Sequence, residues 1–308
     1  MRMLIDTDAG VDDAQAIMMA FAYPGVTVEA ITTCSGNVHV DKVVSNVFAI
    51  LDLLGRDVPV YRGAALPLLA DWSPEVLVHG EDGLGNWSGR RPTGRRAETE
   101  PAAAALIRLA NEAPGEYTLV ALGPLTNLAL ACSLDPSFPS KIKKFVFMGG
   151  TIQAMGNTRI VTAEWNIFCD PEAAYITLKT FPRATMLSWE TTIHHSIPWP
   201  KFEALLAADT PAARFVRETS GISIALMKQY PQLGGYLLPD PLAMAITLEP
   251  EIIRRSQDYY VTVELHGAET RGQTVIDYIG RKGLPPNVEV VTELDNDGVY
   301  RLFAAALR

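Results

Sequence analysis

Short apolar runs alternate with stretches in which apolar residues recur every three or four positions. The short runs predict strands at Met3–Asp6, Val26–Thr33, Tyr117–Leu122, Lys144–Met148, Ala184–Trp189, Tyr259–Leu265, Thr274–Tyr278 and Val288–Leu294. The helical spacing predicts helices near Asp12–Ala22, Val40–Leu54, Pro101–Glu112, Leu125–Cys132 and Pro171–Thr180. Strand and helix in alternation require crossover connections, so the fold class is α/β: a mostly parallel, Rossmann-like sheet with helices on both faces. No repeat or linker divides the chain, and residues 1–308 read as one domain. Residues 199–238 read as helical, broken by Pro231, Gly234 and Gly235, and suggest a flap near the site.

In such sheets ligands bind beyond the carboxyl ends of the strands. Asp6 and Asp8 follow the first predicted strand, Asn37 the second, Gly123 and Pro124 the third, and Gly149 and Gly150 the fourth. One site assembled from several strand ends accounts for this distribution. Asp6, Asp8, Asp12 and Asp13 crowd four carboxylates into the first thirteen residues. Like charges this close repel, so a cation or a polyol is the reason to gather them. Oxygen-only ligands favour a hard cation, Ca²⁺ or Mg²⁺, over zinc. The plainer alternative is a solvated turn in which Asp12 and Asp13 stabilise a helix N-terminus.

Composition narrows the partners. Of 308 residues 48% are hydrophobic, enough for a large core, and the formal charge of −9 disfavours a nucleic-acid backbone or an anionic membrane surface. Arg90, Arg91, Arg95 and Arg96 cluster, but Pro92 and Gly94 mark a solvated loop. Cys34, Cys132 and Cys169 form no CxxC and read as reduced thiols of a cytoplasmic protein. The start leaves no room for a signal-peptide core before the acids, and no apolar run is long enough to span a bilayer.

Several segments, in order, resemble the inosine-uridine nucleoside hydrolase family. They are Asp6-Thr7-Asp8-Ala9-Gly10-Val11-Asp12-Asp13, Ser35-Gly36-Asn37, His79-Gly80-Glu81-Asp82-Gly83, Leu122-Gly123-Pro124-Leu125-Thr126-Asn127, Phe147-Met148-Gly149-Gly150, Ala163-Glu164-Trp165-Asn166 and Pro239-Asp240-Pro241. The resemblance spans nearly the whole chain. It implies hydrolysis of the N-glycosidic bond of ribonucleosides to ribose and free base, with a bound Ca²⁺. It further implies a small-molecule ribonucleoside as partner and a homodimer or homotetramer. Asp8 resembles the general base that also touches the metal. Asp13, Asp240 and the backbone carbonyl of Leu122 match the remaining metal ligands, and Asp12, Asn37, Asn157, Glu164 and Asn166 match the ribose contacts.

The chain departs from the family where many members carry a histidine before the distant aspartate. Pro239 stands there and cannot donate a proton to the leaving base. His79 is the first alternative, as acid or base-site contact, with Tyr230 and Tyr236 as further candidates. Purines generally leave after protonation, so Pro239 favours a pyrimidine such as uridine. Three smaller departures are Ala9 where proline is common, which should loosen the loop, seven positions rather than six from Asn157 to Glu164, and Glu190 where aspartate is common, with no obvious catalytic consequence. His194 and His195 read as surface or lid residues. Glu164 and Asn166, two apart, share a face only if extended. Two other functions compete. A haloacid-dehalogenase-type phosphotransferase also opens with a strand and Asp-x-Asp, but no Asp-Asp pair follows Asp13. A calcium-dependent ribonucleoside- or ribose-binding protein without turnover would explain Pro239, though it has no use for a general base.

Overall fold

The computed structural model describes residues 1–91 and 93–308; Pro92 lies outside the described residues. Among the described residues there are eleven strands: β1 Arg2–Thr7, β2 Thr27–Thr33, β3 Val60–Arg62, β4 Tyr117–Ala121, β5 Lys144–Met148, β6 Ala184–Leu187, β7 Ile197–Pro198, β8 Gly235–Tyr236, β9 Ile253–Val263, β10 Thr274–Asp277 and β11 Val288–Leu294. Nine form one sheet in the order β10-β9-β11-β6-β5-β4-β1-β2-β3. From β3 to β11 all neighbours run parallel, and β9 and β10 extend that edge antiparallel. β7 and β8 pair separately.

Side chains alternate across the sheet, so each strand feeds two cores. In β1, Met3 and Ile5 enter one apolar cluster and Leu4 the other. Helices Val11–Ala22, Val40–Leu54, Pro239–Leu248 and Asn296–Ala306 pack in the first cluster. Helices Ala102–Glu112, Thr126–Leu134 and Pro171–Thr180 pack in the second. This is the expected α/β architecture. The strand order reverses between β1 and β4: β1 leads to β2 on one side, while β4 lies on the other. Such a reversal opens a crevice at the carboxyl ends of the two strands.

The differences from the sequence reading have local causes. β9 begins at Ile253, not Tyr259, because its first half is a polar, largely exposed stretch with no apolar alternation. β6 ends at Leu187, since Ser188 caps the next helix by accepting from the Thr191 N–H. Helix Pro239–Leu248 is buried at nearly every position and therefore carries no amphipathic period. The flap region resolves into helices Trp199–Leu206, Pro211–Thr219 and Gly221–Met227. Of the arginine cluster, Arg91 and Arg96 are exposed, as a solvated loop implies, whereas Arg90 and Arg95 are tied down. Arg95 pairs with Asp52 and Asp57, and Arg90 donates to Ser45 and Asn46. Among the described residues no helix is long and apolar enough to cross a membrane.

Candidate active site

The loop after β1 carries the carboxylates into the crevice. Thr7 ends the strand, and Ala9 adopts φ 33°, a left-handed conformation that proline cannot reach. Ala9 therefore does more than loosen the loop: it permits a turn that is held from both sides. The Ala9 N–H donates to Thr7 Oγ1 (3.0 Å), and Asn46 Nδ2 donates to the Ala9 carbonyl (2.9 Å). Helix Val11–Ala22 starts at once, and Asp13 in its first turn accepts from the Gly10 N–H (2.7 Å). The helix-capping role considered for this pair is thus real for Asp13, and it coexists with the site.

Asp8 and Asp13 are fully buried. Asp8 Oδ2 accepts from the Asn37 N–H (2.7 Å), whereas Asp8 Oδ1 is buried with no partner. Asp13 accepts from the Thr7 hydroxyl and from Asn37 Nδ2 (3.3 Å). Asp240, in the first turn of helix Pro239–Leu248, completes the group, and oxygens of Asp12, Asp13 and Asp240 lie within 4.8 Å of one another. Burial, then repulsion from Asp13, pushes the Asp8 carboxyl well above its ordinary range. Burial, then Asp12, Asp13 and Asp8, does the same to Asp240. Among the described residues the one basic group at ion-pair distance is His79, 3.8 Å from Asp12. Burial lowers His79 to about 4, so it is neutral at physiological pH and balances none of this charge. Buried carboxylates with unpartnered oxygens and no compensating cation fit a hard divalent ion.

A cavity of about 420 Å³ opens above these acids, within the size range of small-ligand pockets. Its polar floor includes Asp12, Asn37, Leu122, Glu164, Asn166 and Asp240, and its walls are largely apolar and aromatic. His79, Asn157, Tyr230 and Tyr236 line it too, while Asp8 and Asp13 do not line it but accept hydrogen bonds from Asn37 of its floor. The roles of individual candidates are sharper than expected. Tyr236 is buried, its hydroxyl 3.0 Å from Ser223 Oγ, while Tyr230 is half exposed. His79 Nδ1 accepts from the Val11 N–H (3.1 Å), which leaves Nε2 as the nitrogen that bears hydrogen. A neutral imidazole in this state is a hydrogen-bond donor rather than a strong acid.

Glu164 and Asn166 share the floor without a common extended strand. Glu164 is extended and caps helix Trp165–Cys169, in which Asn166 is the second residue. Glu164 accepts from the N–H groups of Asn166 (2.8 Å), Gly150 (2.9 Å) and Ile167 (3.2 Å). Asn166 Nδ2 donates to the Leu122 carbonyl (2.7 Å) and the Met148 carbonyl (3.1 Å). The Leu122 oxygen thus already accepts one hydrogen bond and retains its second lone pair. His195, read from sequence as a lid residue, is buried and structural: it contacts Asn296 (2.6 Å) and accepts from the Leu294 N–H (3.2 Å). Thr32 and Asn127, which donate to Asp6 at 2.5 and 2.7 Å, are supporting residues that the sequence reading did not single out for that task.

Burial raises Glu164 from 4.5 to about 7. Unfolded, this carboxyl ionises near its ordinary value, so between those pH values folding takes up a proton and stability falls as pH rises. The limit is about 3 kcal/mol at 1.36 kcal/mol per unit. Glu164→Gln cannot ionise, so its stability relative to wild type should improve progressively from pH 4.5 to pH 7.5 by up to that amount. Urea denaturation at intervals across this range measures the gap, and a pH-independent gap would refute the shift.

The chain matches the family model described as inosine-uridine preferring nucleoside hydrolase over residues 3–301. It is 36% identical over 307 residues to the pyrimidine-specific ribonucleoside hydrolase RihA of Citrobacter koseri, covering 99% of this chain and 97% of the relative. It is 35% identical to the non-specific ribonucleoside hydrolase RihC of Salmonella schwarzengrund, covering 99% and 98%. Among solved structures, an inosine-guanosine nucleoside hydrolase superposes with a TM-score of 0.92 at 33% identity, covering 99% and 98%. A buried carboxylate group at the strand-order reversal, a polar-floored cavity above it and likeness along the full length agree: the chain belongs to the inosine-uridine preferring nucleoside hydrolase family and is an enzyme that hydrolyses N-glycosidic bonds.

Proposed function

We propose that this chain is a calcium-dependent ribonucleoside hydrolase, with Asp8 as general base and a preference for pyrimidine ribonucleosides. The observation that carries the reading is Asp8 itself: one oxygen fixed by the Asn37 N–H, the other buried and unpartnered beside Asp13 and Asp240. Asp8, Asp13, Asp240 and the Leu122 carbonyl would hold the ion. When bound, the ion would acidify a water and bind sugar hydroxyls. Asp12 is the one ambiguity in the donor set, since its oxygens group with those of Asp13 and Asp240. We assign it to the ribose because it lines the cavity and, alone of the three, is partly exposed.

The residues present account for each step of the chemistry. Asp8 takes the proton of the attacking water as it approaches C1′. Asp12, Asn37, Asn157, Glu164 and Asn166 bind the ribose hydroxyls and offer oxygens to the positive charge that develops on an oxocarbenium-like sugar. A site built to satisfy a 2′-hydroxyl rejects a deoxyribonucleoside by about 10⁴-fold, because its buried partners are left unpaired. On the leaving-group side Pro239 offers no proton, and His79 is neutral. His79 Nε2–H can instead donate to a carbonyl oxygen of the departing base. A pyrimidine, which carries its leaving charge on ring carbonyls, suits this arrangement better than a purine that must be protonated. The RihA relative is named pyrimidine-specific, in keeping with this preference.

The test is free ribose released from uridine, cytidine, inosine and adenosine, each with and without a calcium chelator. Release should be fastest from the pyrimidines, by about 10²-fold over the purines, the low end of a general acid's contribution. It should stop on chelation and return with Ca²⁺. Equal purine rates would overturn the preference, and chelator-insensitive release would overturn the metal.

A further inference from the structure

The cavity wall that carries Asn157 is held by a buried carboxylate outside the catalytic group. Glu190, 1% exposed, lies in the first turn of helix Trp189–His194. Its Oε2 accepts from the Ile152 N–H (2.9 Å), and its Oε1 accepts from the N–H groups of Gln153 (2.8 Å) and Met155 (3.1 Å). Between the two donors on Oε1 sits Ala154 at φ 57°, a left-handed turn that a residue with a Cβ adopts only under constraint. Gly156 and Asn157, the next two residues, line the cavity, as do Trp189 and Ile193 on either side of Glu190. One side chain thus ties two walls of the pocket together. An aspartate at 190 would fall one carbon–carbon bond short of these donors, so glutamate at this position has a structural reason.

We infer that Glu190 is a positioning residue for substrate binding: it holds the turn at residues 152–155 so that Asn157 faces the sugar. The inference rests on the reading of Asn157 as a ribose contact. Among the described residues no other side chain accepts from these three N–H groups. The Tyr278 hydroxyl donates to the Ile152 carbonyl and the Thr151 N–H donates to Thr274 Oγ1 (2.7 Å), but both act at the start of the turn. The segment after Met155 closes on itself, through Gly156 N–H to the Val161 carbonyl (2.7 Å), Asn157 N–H to the Ala163 carbonyl (3.2 Å) and the Thr158 hydroxyl to the Ile160 and Ala163 carbonyls (2.9 and 3.1 Å). Releasing the turn leaves Asn157 tethered from one side only, by the bonds of this segment to Val161 and Ala163.

The experiment is a double-mutant cycle of Glu190→Gln and Asn157→Ala, read as kcat and KM for uridine, with trypsin cleavage at the exposed Arg159 followed in parallel. E190Q leaves an amide N–H₂ facing a backbone N–H. It should raise KM by about 10-fold, with a smaller change in kcat, within the range of a sub-ångström to ångström misplacement. Cleavage at Arg159 should accelerate. The double variant should be no worse than N157A alone, because both remove the same contact. N157A leaving KM unchanged would overturn the ribose reading of Asn157 itself. N157A raising KM with E190Q adding independently to it, or E190Q without faster cleavage at Arg159, would overturn the role of Glu190. If E190Q does not fold, Glu190→Asp carries the same cycle.

Discussion

Replacing Asp8 with asparagine should lower kcat by about 10²–10⁴-fold, the contribution of a general base, while ribonucleoside binding persists. Asparagine is isosteric, and its amide oxygen can still accept from the Asn37 N–H that fixes Asp8 Oδ2 at 2.7 Å. What it loses is the unpartnered Oδ1, the one oxygen of Asp8 left to receive a proton. Because Asp8 is also assigned to the metal, the comparison needs saturating Ca²⁺, with uridine binding measured by calorimetry and turnover by ribose release. A catalyst predicts turnover lost and binding kept. A ribonucleoside-binding protein has no turnover in the wild type to lose. If D8N turns over within about 10-fold of wild type, below the range for a general base, Asp8 is not that base.

How much of this was legible in the chain varies with the kind of interaction. The carboxylate group was, because Asp8, Asp12 and Asp13 are adjacent in sequence and the loop needs only one strand end to present them. Asp240 and Glu164 lie far along the chain and gain meaning only through the ordered resemblance and the sheet that folds them onto β1 and β4. β5 and β11 matched to the residue, β5 because a parallel strand buried on both faces is a continuous apolar run, and β11 because its buried Val288, Val290, Val291 and Leu294 stand among polar positions. Helix Asn296–Ala306 and strand β3 were missed, the strand because three residues carry no pattern. Contacts through backbone N–H groups were invisible. Nothing in the letters around Glu190 says that its carboxylate accepts from residues 152, 153 and 155. Nor does any composition rule give Ala9 a left-handed φ, which reverses the inference drawn from the absence of proline there.

Gly36 gives the second large effect, and its reason is steric rather than conformational. A Cβ at residue 36 would stand 2.0 Å from Asp8 Oδ2 and 2.7 Å from both Asp8 Cγ and Pro124 Cδ. None of these can yield cheaply. Asp8 is pinned by the Asn37 N–H, and Pro124 belongs to the turn after β4, on the far side of the crevice. The Gly36 carbonyl is itself anchored by Trp72 Nε1 (2.9 Å). Gly36→Ala should therefore destabilise by about 1–3 kcal/mol, as overpacking does, and move the base. A displacement near 1 Å at the reacting group would lower kcat/KM by about 10²-fold. Gly221→Ala is the control, because a Cβ there meets nothing within 4 Å and the residue opens a helix where alanine is favoured. Denaturation midpoints and ribose release from uridine, measured on both variants, separate the outcomes. G36A with wild-type kcat/KM would mean that Asp8 can move without penalty, and the fixed base on which the mechanism depends would have to be abandoned.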